Sequence, residues 1–303
     1  MIVPTLAKMI AHEHRYKPIR GKVLCLGRQT ISMTPQEAIA IIKKEKIRIP
    51  PQLIEETLGT VDNSTRYGKN TGRISDVAFF KLLGIEYMEV MDVSDYEDAD
   101  IIHDLNYPIP DSLKKKYDYI IDGGTFDHLF DLKTAFKNLN LMLKDDGRFL
   151  AWNAASNFTG GAYISFGPDF YFDYLMLNKF AYTKVWVVEI KDIAQRENWK
   201  FYEFEGLDKY TMLNCKNPLM TVVIGEKNKD TTYDKLPIQA QYRDNELWDS
   251  YQIGRKSTNK SDRQDYNYHV KYGILGTVLG SIARKLSGEE FNRHNGYLYK
   301  GRF

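Results

Sequence analysis

Five short apolar runs, separated by segments with helical spacing, constrain this chain more than any other feature. They are Val23–Leu26, 87–93, 100–104, Tyr117–Asp122 and 148–152. Their apolar residues are bunched instead of alternating with polar ones, as in strands buried on both faces of a parallel sheet. The segments between them carry helix ends. "TPQE" at 34–37 offers Thr34 as N-cap, Pro35 in the first turn and Glu37 three residues on, a capping box. A second helix over 76–84 closes on Gly84. In a third, Leu129, Leu132, Phe136, Leu139 and Met142 recur at steps of three and four, and Gly147 suits a left-handed cap before the next strand. An aromatic helix at 168–180 and strands at 184–190 and 219–225 follow. Five β/α alternations and a closing β–β pair predict an α/β fold. Its form is a doubly wound, Rossmann-like, seven-stranded, mostly parallel sheet with an antiparallel last strand.

The organisation read from this pattern is an N-terminal arm (1–20), an α/β domain (21–228) and a basic, Tyr-rich C-terminal extension (229–303). The extension carries one amphipathic helix at 274–286, with Ile274, Leu275, Val278, Leu279 and Ile282 on one face. Net charge is +2, yet residues 254–303 hold ten Lys/Arg against four Asp/Glu. Such a tail attracts phosphates or anionic surfaces, or is simply a solvated extension. The weakly polar stretch at 272–283 is about half the roughly 20 residues that span a bilayer. The N-terminus lacks a signal-peptide pattern. Two distant cysteines, Cys25 and Cys215, form no CxxC or Cys/His cluster, which suits a reducing compartment, and a cytoplasmic protein is expected.

In open α/β sheets ligands bind beyond the carboxyl ends of the strands. Small and polar residues collect there: Gly27 and Arg28, then Asp92, then Asp104, Leu105 and Asn106, then Asp122, Gly123 and His128, then Asn153. A packed core alone does not require this pattern. Each carboxylate taken singly is equally a turn or helix-cap group.

The stretch "YDYIIDGGTFDHLFDLKTAFKNLNLMLKDDGRFLAWN", together with "DIIHDLN", resembles class I S-adenosylmethionine-dependent methyltransferases over roughly residues 20–225. "MDVSDYEDADIIHDLN" is also similar to methyltransferase-like proteins associated with bacterial surface-polysaccharide synthesis. The resemblance implies S-adenosyl-L-methionine as cofactor. It implies that Asp92 accepts from the ribose hydroxyls and Asp104 from the adenine amino group, with Leu105 against the ring. Gly27, Asp122 and Gly123 would then lie along the methionine portion.

One departure stands out. The family's first loop is glycine-rich, so that the cofactor can approach the backbone without meeting Cβ atoms. Here Gly27 is followed by Arg28, Gln29 and Thr30. Arg28 offers a charge-assisted fork for the methionine carboxylate, or is a strand-end arginine. His128, with Asp127 beside it, is placed to act as general base, or only to cap a helix. Asp122, Asp127 and His128 lack a second ligand set, so no metal is expected. Asn153, Asn157 and Tyr163 are the candidate contacts to a polar acceptor.

The function expected is methyl transfer to a polar acceptor, most simply a carbohydrate hydroxyl or another small molecule. Two alternatives stand beside it. One is a non-catalytic binding or assembly protein with a degenerate cofactor loop. The other is a nucleic-acid methyltransferase guided by the basic tail.

Overall fold

A computed structural model describes residues 1–191, 199–206, 215–239 and 297–302. The apolar runs become strands of one sheet. In chain order these are β1 (Val23–Leu26), β2 (Met88–Asp92), β3 (Ile101–Ile102), β4 (Tyr117–Asp122), β5 (Leu143–Ser156), β6 (Tyr182–Glu189), β7 (Lys200–Phe204), β8 (Leu219–Glu226) and β9 (Tyr297–Arg302). Their order across the sheet is β3-β2-β1-β4-β5-β8-β6-β7-β9. β1 to β5 pair in parallel, and β8 lies antiparallel between β5 and β6. β7 and β9 extend the sheet by antiparallel pairing beyond the seven expected strands. The chain leaves β1 toward β2 and β3, then returns to its other side at β4. That reversal opens a crevice above the ends of β1 and β4.

Six α-helices among the described residues cover the two faces: α1 (Pro4–Tyr16), α2 (Pro35–Lys44), α3 (Pro51–Leu58), α4 (Asp76–Leu82), α5 (Leu132–Met142) and α6 (Pro168–Leu177). Successive strand residues point to opposite faces, so both sets need cover. Val23 and Cys25 join the core containing Leu6, Ile10, Ile42 and Phe79, from α1, α2 and α4. Leu24 and Leu26 join the core containing Phe136, Leu139, Tyr171 and Leu175, from α5 and α6. Burying each such side chain contributes about 1.5–3 kcal/mol. This two-sided demand is why the strands read as unbroken apolar runs.

Residues 1–20, set apart in the sequence as an arm, are part of the first of these layers. Ile2 and Leu6 are buried, and Ile2 bridges to Ile31 with its N–H donating to Thr30 O at 2.9 Å. The chain start therefore backs the loop that leaves β1.

The capping signals of α2 are met, whereas α5 is displaced at both ends and α6 stops at Leu177, short of the expected 180. Thr34 Oγ1 accepts from Glu37 N (3.3 Å) while Thr34 N donates to Glu37 Oε2 (2.7 Å), completing the capping box. α5 begins later than Leu129, because Asp131 Oδ1 caps Thr134 N at 2.9 Å. It also ends at Met142, before Gly147. There Leu143 already pairs with Tyr117, and the left-handed residue of the turn is Asp146 (φ 67°). Gly147 is needed for space, since a Cβ there would lie 2.9 Å from Lys144 O. The amphipathic segment 274–286 and most of the basic stretch lie outside the described residues.

Candidate functional site

The ends of β1, β2 and β4 meet at Gly27. This residue has φ +71°, and its N–H donates to Met91 O at 2.7 Å. A Cβ there would lie 3.2 Å from Thr125 Oγ1 and 3.7 Å from Asp92 Oδ2. Glycine is required both for the backbone angle and for the close approach. Asp92 Oδ1 is held by Val93 N at 2.7 Å, which leaves Oδ2 on the Gly27 side.

Asp104 Oδ1 accepts from Asn106 N (2.9 Å) and Nδ2 (2.8 Å). Asn106 Oδ1 in turn accepts from Phe130 N and Asp131 N, both at 2.9 Å, tying the exit of β3 to the entry of α5. Asp92 and Asp104 open on one cleft of about 510 Å³, shared with Gly27, Leu105, Gly123, Thr125 and His128. Its size falls within the roughly 300–1,000 Å³ of small-molecule sites.

Arg28 lines the cleft, but its charge is met from inside the loop. Its guanidinium turns inward, with Nη2 3.4 Å from Oδ1 of the fully buried Asp76. Asp76 also accepts from Gln29 N (3.0 Å) and Val77 N (2.8 Å). Burial raises the Asp76 pKa, opposed by the Arg28 charge and these backbone bonds. The glycine-poor loop is thus shaped by an internal ion pair, and Arg28 is committed to it. The Gln29 side chain, only 3% exposed, lies on Gly123, where a Cβ would overlap Gln29 Oε1.

Two further expected contacts are internal. Asp122 is buried. Its Oδ1 accepts from Thr125 N (2.7 Å) and Phe126 N (3.4 Å), and its Oδ2 from Asn153 Nδ2 (2.7 Å). Burial pushes its pKa up to about 6, against the bonds from Asn153 and Thr125. The carboxylate builds the turn that presents Gly123 and Thr125, and does not line the cleft. Asn153, also buried, bonds Tyr171 Oη (2.9 Å) and accepts from Asp127 N (3.2 Å). It is a structural hub, where an acceptor contact had been expected. Asn157 donates to Cys215 O and Asn217 O, both at 3.0 Å, and is absent from the cleft wall. Clustering of polar residues at strand ends signalled all these positions. It did not distinguish carboxylates facing out from those folding the turn.

At the cleft rim, His128 has a half-exposed side chain, with Nε2 3.8 Å from Asp127 Oδ1. Asp127 is buried. Its Oδ2 accepts from Ala154 N (3.2 Å), and its Oδ1 has no hydrogen-bond partner among the described residues. Burial raises its pKa, opposed by the Ala154 bond and the His128 charge. Tyr163 and Ile164 N–H groups donate to Asp127 O (2.9 and 3.1 Å), which brings the Tyr163 ring beside His128. Tyr163 and Phe130, 73% and 81% exposed with ring centres 5.3 Å apart, form an open aromatic wedge.

Arg66, Tyr67 and Glu97 also line the cleft, and no motif marked them. They come from irregular loops whose position depends on α4 and β2. Among the described residues no group of three His, Cys, Asp or Glu side chains is placed to hold a metal ion. No helix among them is long and apolar enough to cross a membrane.

No known family pattern matches this chain, and no curated protein does. Solved structures with a similar arrangement include a SAM-dependent methyltransferase from Archaeoglobus fulgidus. It is 12% identical over 73% of this chain and 94% of that one, with a TM-score of 0.38. The CurJ carbon methyltransferase is 12% identical over 75% and 54% of the two chains (TM-score 0.37). A SAM-dependent methyltransferase from Thermotoga maritima, described as a possible histamine N-methyltransferase, is 12% identical over 74% and 92% (TM-score 0.31).

Proposed function

We propose that the cleft binds S-adenosyl-L-methionine and that the protein transfers its methyl group to a polar acceptor, with a carbohydrate hydroxyl as the specific case. One observation carries the reading: Asp92 and Asp104, leaving different strands, open on the same small-molecule cleft that Gly27 lines. The space at Gly27 suits the group, because a Cβ there would already be in contact with Thr125 and Asp92.

When bound, the cofactor would supply a methyl group on a sulfonium for one in-line displacement, the carbon–sulfur bond breaking as the carbon–oxygen bond forms and the sulfur departing as a neutral thioether. The chain's residues bind and orient. Asp92, with Oδ1 fixed by the backbone, offers Oδ2 to ribose hydroxyls. Asp104, anchored through Asn106, offers its second oxygen to an exocyclic amine, and Leu105 gives the ring an apolar wall. His128 takes the proton released by the acceptor hydroxyl, with its Nε2 3.8 Å from Asp127 Oδ1. Tyr163 and Phe130 offer ring faces to the acceptor. Holding donor and acceptor in line is the largest contribution, about 7–11 kcal/mol in favourable cases.

Isothermal titration with S-adenosylmethionine and S-adenosylhomocysteine tests the binding step, and absence of heat up to millimolar ligand would overturn it. Transfer of labelled methyl to a panel of mono- and oligosaccharides tests the acceptor. A second reading, a non-catalytic binding or assembly protein, is favoured by the inward commitment of Arg28 and Gln29. Tight homocysteine-product binding with no transfer to any acceptor class would put it first. The nucleic-acid reading depends on the basic stretch outside the described residues.

A further inference from the structure

The cleft is lined by two arginines, Arg28 and Arg66, and by three acids, Asp92, Glu97 and Asp104. Arg28 is neutralised by Asp76. Arg66 has no ion pair among the described residues. Its guanidinium lies 5.5 Å from the Tyr67 ring centre, and both side chains are exposed.

Its backbone, by contrast, is fixed. Arg66 N donates to Glu97 Oε1 at 2.6 Å, which ties the loop to the exit of β2. The preceding turn folds on the buried Asp62, whose Oδ1 accepts from Ser64 N (2.9 Å) and Thr65 N (3.1 Å), while Asp62 N donates to Arg73 O (2.7 Å). Arg73 Nη1 closes the loop on Tyr67 O at 2.9 Å. A permanently charged fork with no ion pair among the described residues is therefore carried to the cleft wall on a rigid base, while the other cations lining the cleft are engaged, Arg28 with Asp76 and the Met1 ammonium with Gln29 Oε1 at 3.0 Å.

We propose that Arg66 is the counter-ion for a carboxylate entering this cleft, and that the carboxylate is the one on the cofactor's methionine portion. This rests on the cofactor reading above. It gives to the 59–75 loop a role expected of the β1 loop, because Arg28, although on the cleft wall, is paired with Asp76.

The test compares S-adenosylhomocysteine with methylthioadenosine, which keeps the nucleoside and lacks the amino-carboxylate arm, on wild type and Arg66→Gln. Charged hydrogen bonds of this kind correspond to roughly ten- to a hundredfold in affinity. R66Q should weaken S-adenosylhomocysteine by about that factor and leave methylthioadenosine within about twofold, with R66K recovering part of the loss. Equal weakening of both ligands, or of neither, overturns the assignment while the cofactor reading stands. If R66Q spares S-adenosylhomocysteine but weakens a carboxylated acceptor, the carboxylate is the acceptor's and the assignment to the cofactor is overturned. If wild type binds neither nucleoside, the cofactor reading falls and this inference falls with it.

Discussion

Arg28 Nη2 faces Asp76 Oδ1 at 3.4 Å, and with Asp76 fully buried the pair shapes the loop at the mouth of β1 from within. Removing one partner of a buried pair leaves the other charge uncompensated, a cost of about 3–5 kcal/mol. Asp76→Ala should lose about that much in urea unfolding, whereas Arg28→Met, which leaves a carboxylate able to take up a proton, should lose less. Because the Arg28 charge is paired with Asp76, R28M should hold S-adenosylhomocysteine affinity within about threefold. A loss as large as that expected for R66Q would return Arg28 to the binding site.

Asp122 provides a pH test with a definite sign. Its folded-state pKa is raised from 3.8 to about 6. Its stabilising contribution is therefore present below the unfolded value and lost as pH rises through about 6. Relative to Asp122→Asn, the wild type should lose roughly 2–3 kcal/mol between pH 4 and pH 7. Guanidinium melts of both proteins across that range measure the difference, and parallel curves would show that Asp122 is not held in a burial-dominated site.

Glu89 has the opposite sign. Burial alone would raise its pKa, but hydrogen bonds from Tyr117, Lys116 and Tyr87 hold it down to about 2. Its contribution is full above the ordinary value of 4.5 and disappears as pH falls through about 2. Glu89→Gln should flatten the acid limb of the stability profile with little change in ligand affinity, since the residue lies at the opposite ends of the strands from the cleft.

Gly123 and Gln29 should behave as a coupled pair. Gly123→Ala forces the buried Gln29 amide to move and should lower the melting temperature. Gln29→Ala removes the obstacle, so the double variant should recover part of the loss. A double-mutant cycle reads this directly, and additive effects would place the clash elsewhere.

His128 is the residue whose loss should affect turnover and not binding. His128→Asn should leave S-adenosylhomocysteine affinity within about twofold and slow methyl transfer to a hydroxyl by roughly a hundredfold or more, with loss of the pH limb that reports its protonation. A slowed reaction with an unchanged pH profile would make His128 a positioning residue only.

The sheet was legible because its inner strands are covered on both sides. Val23–Leu26 and Tyr117–Asp122 carry apolar residues toward two helical layers, and that demand is written in consecutive positions. β7 and β9 were not legible: "KFYEF" mixes polar and aromatic residues, and its partner arrives from the far end of the chain. Asp92, Asp104 and Gly27 could be named from the sequence because a strand end determines where they stand. Asp122, Asn153 and Arg28 could be named but not oriented, since a buried carboxylate in a turn and a ligand-facing one have the same local sequence.

By itself, then, the sequence determined the alternation of elements, the double winding and which residues reach the carboxyl edge, all consequences of burial periodicity and helix capping. Only the tertiary structure decided which of those polar groups satisfy one another and which are left for a ligand. Hydrogen-bond and charge pairing link residues such as Arg28 with Asp76 and Arg66 with Glu97, whose distances depend on the packed chain and not on their spacing along it.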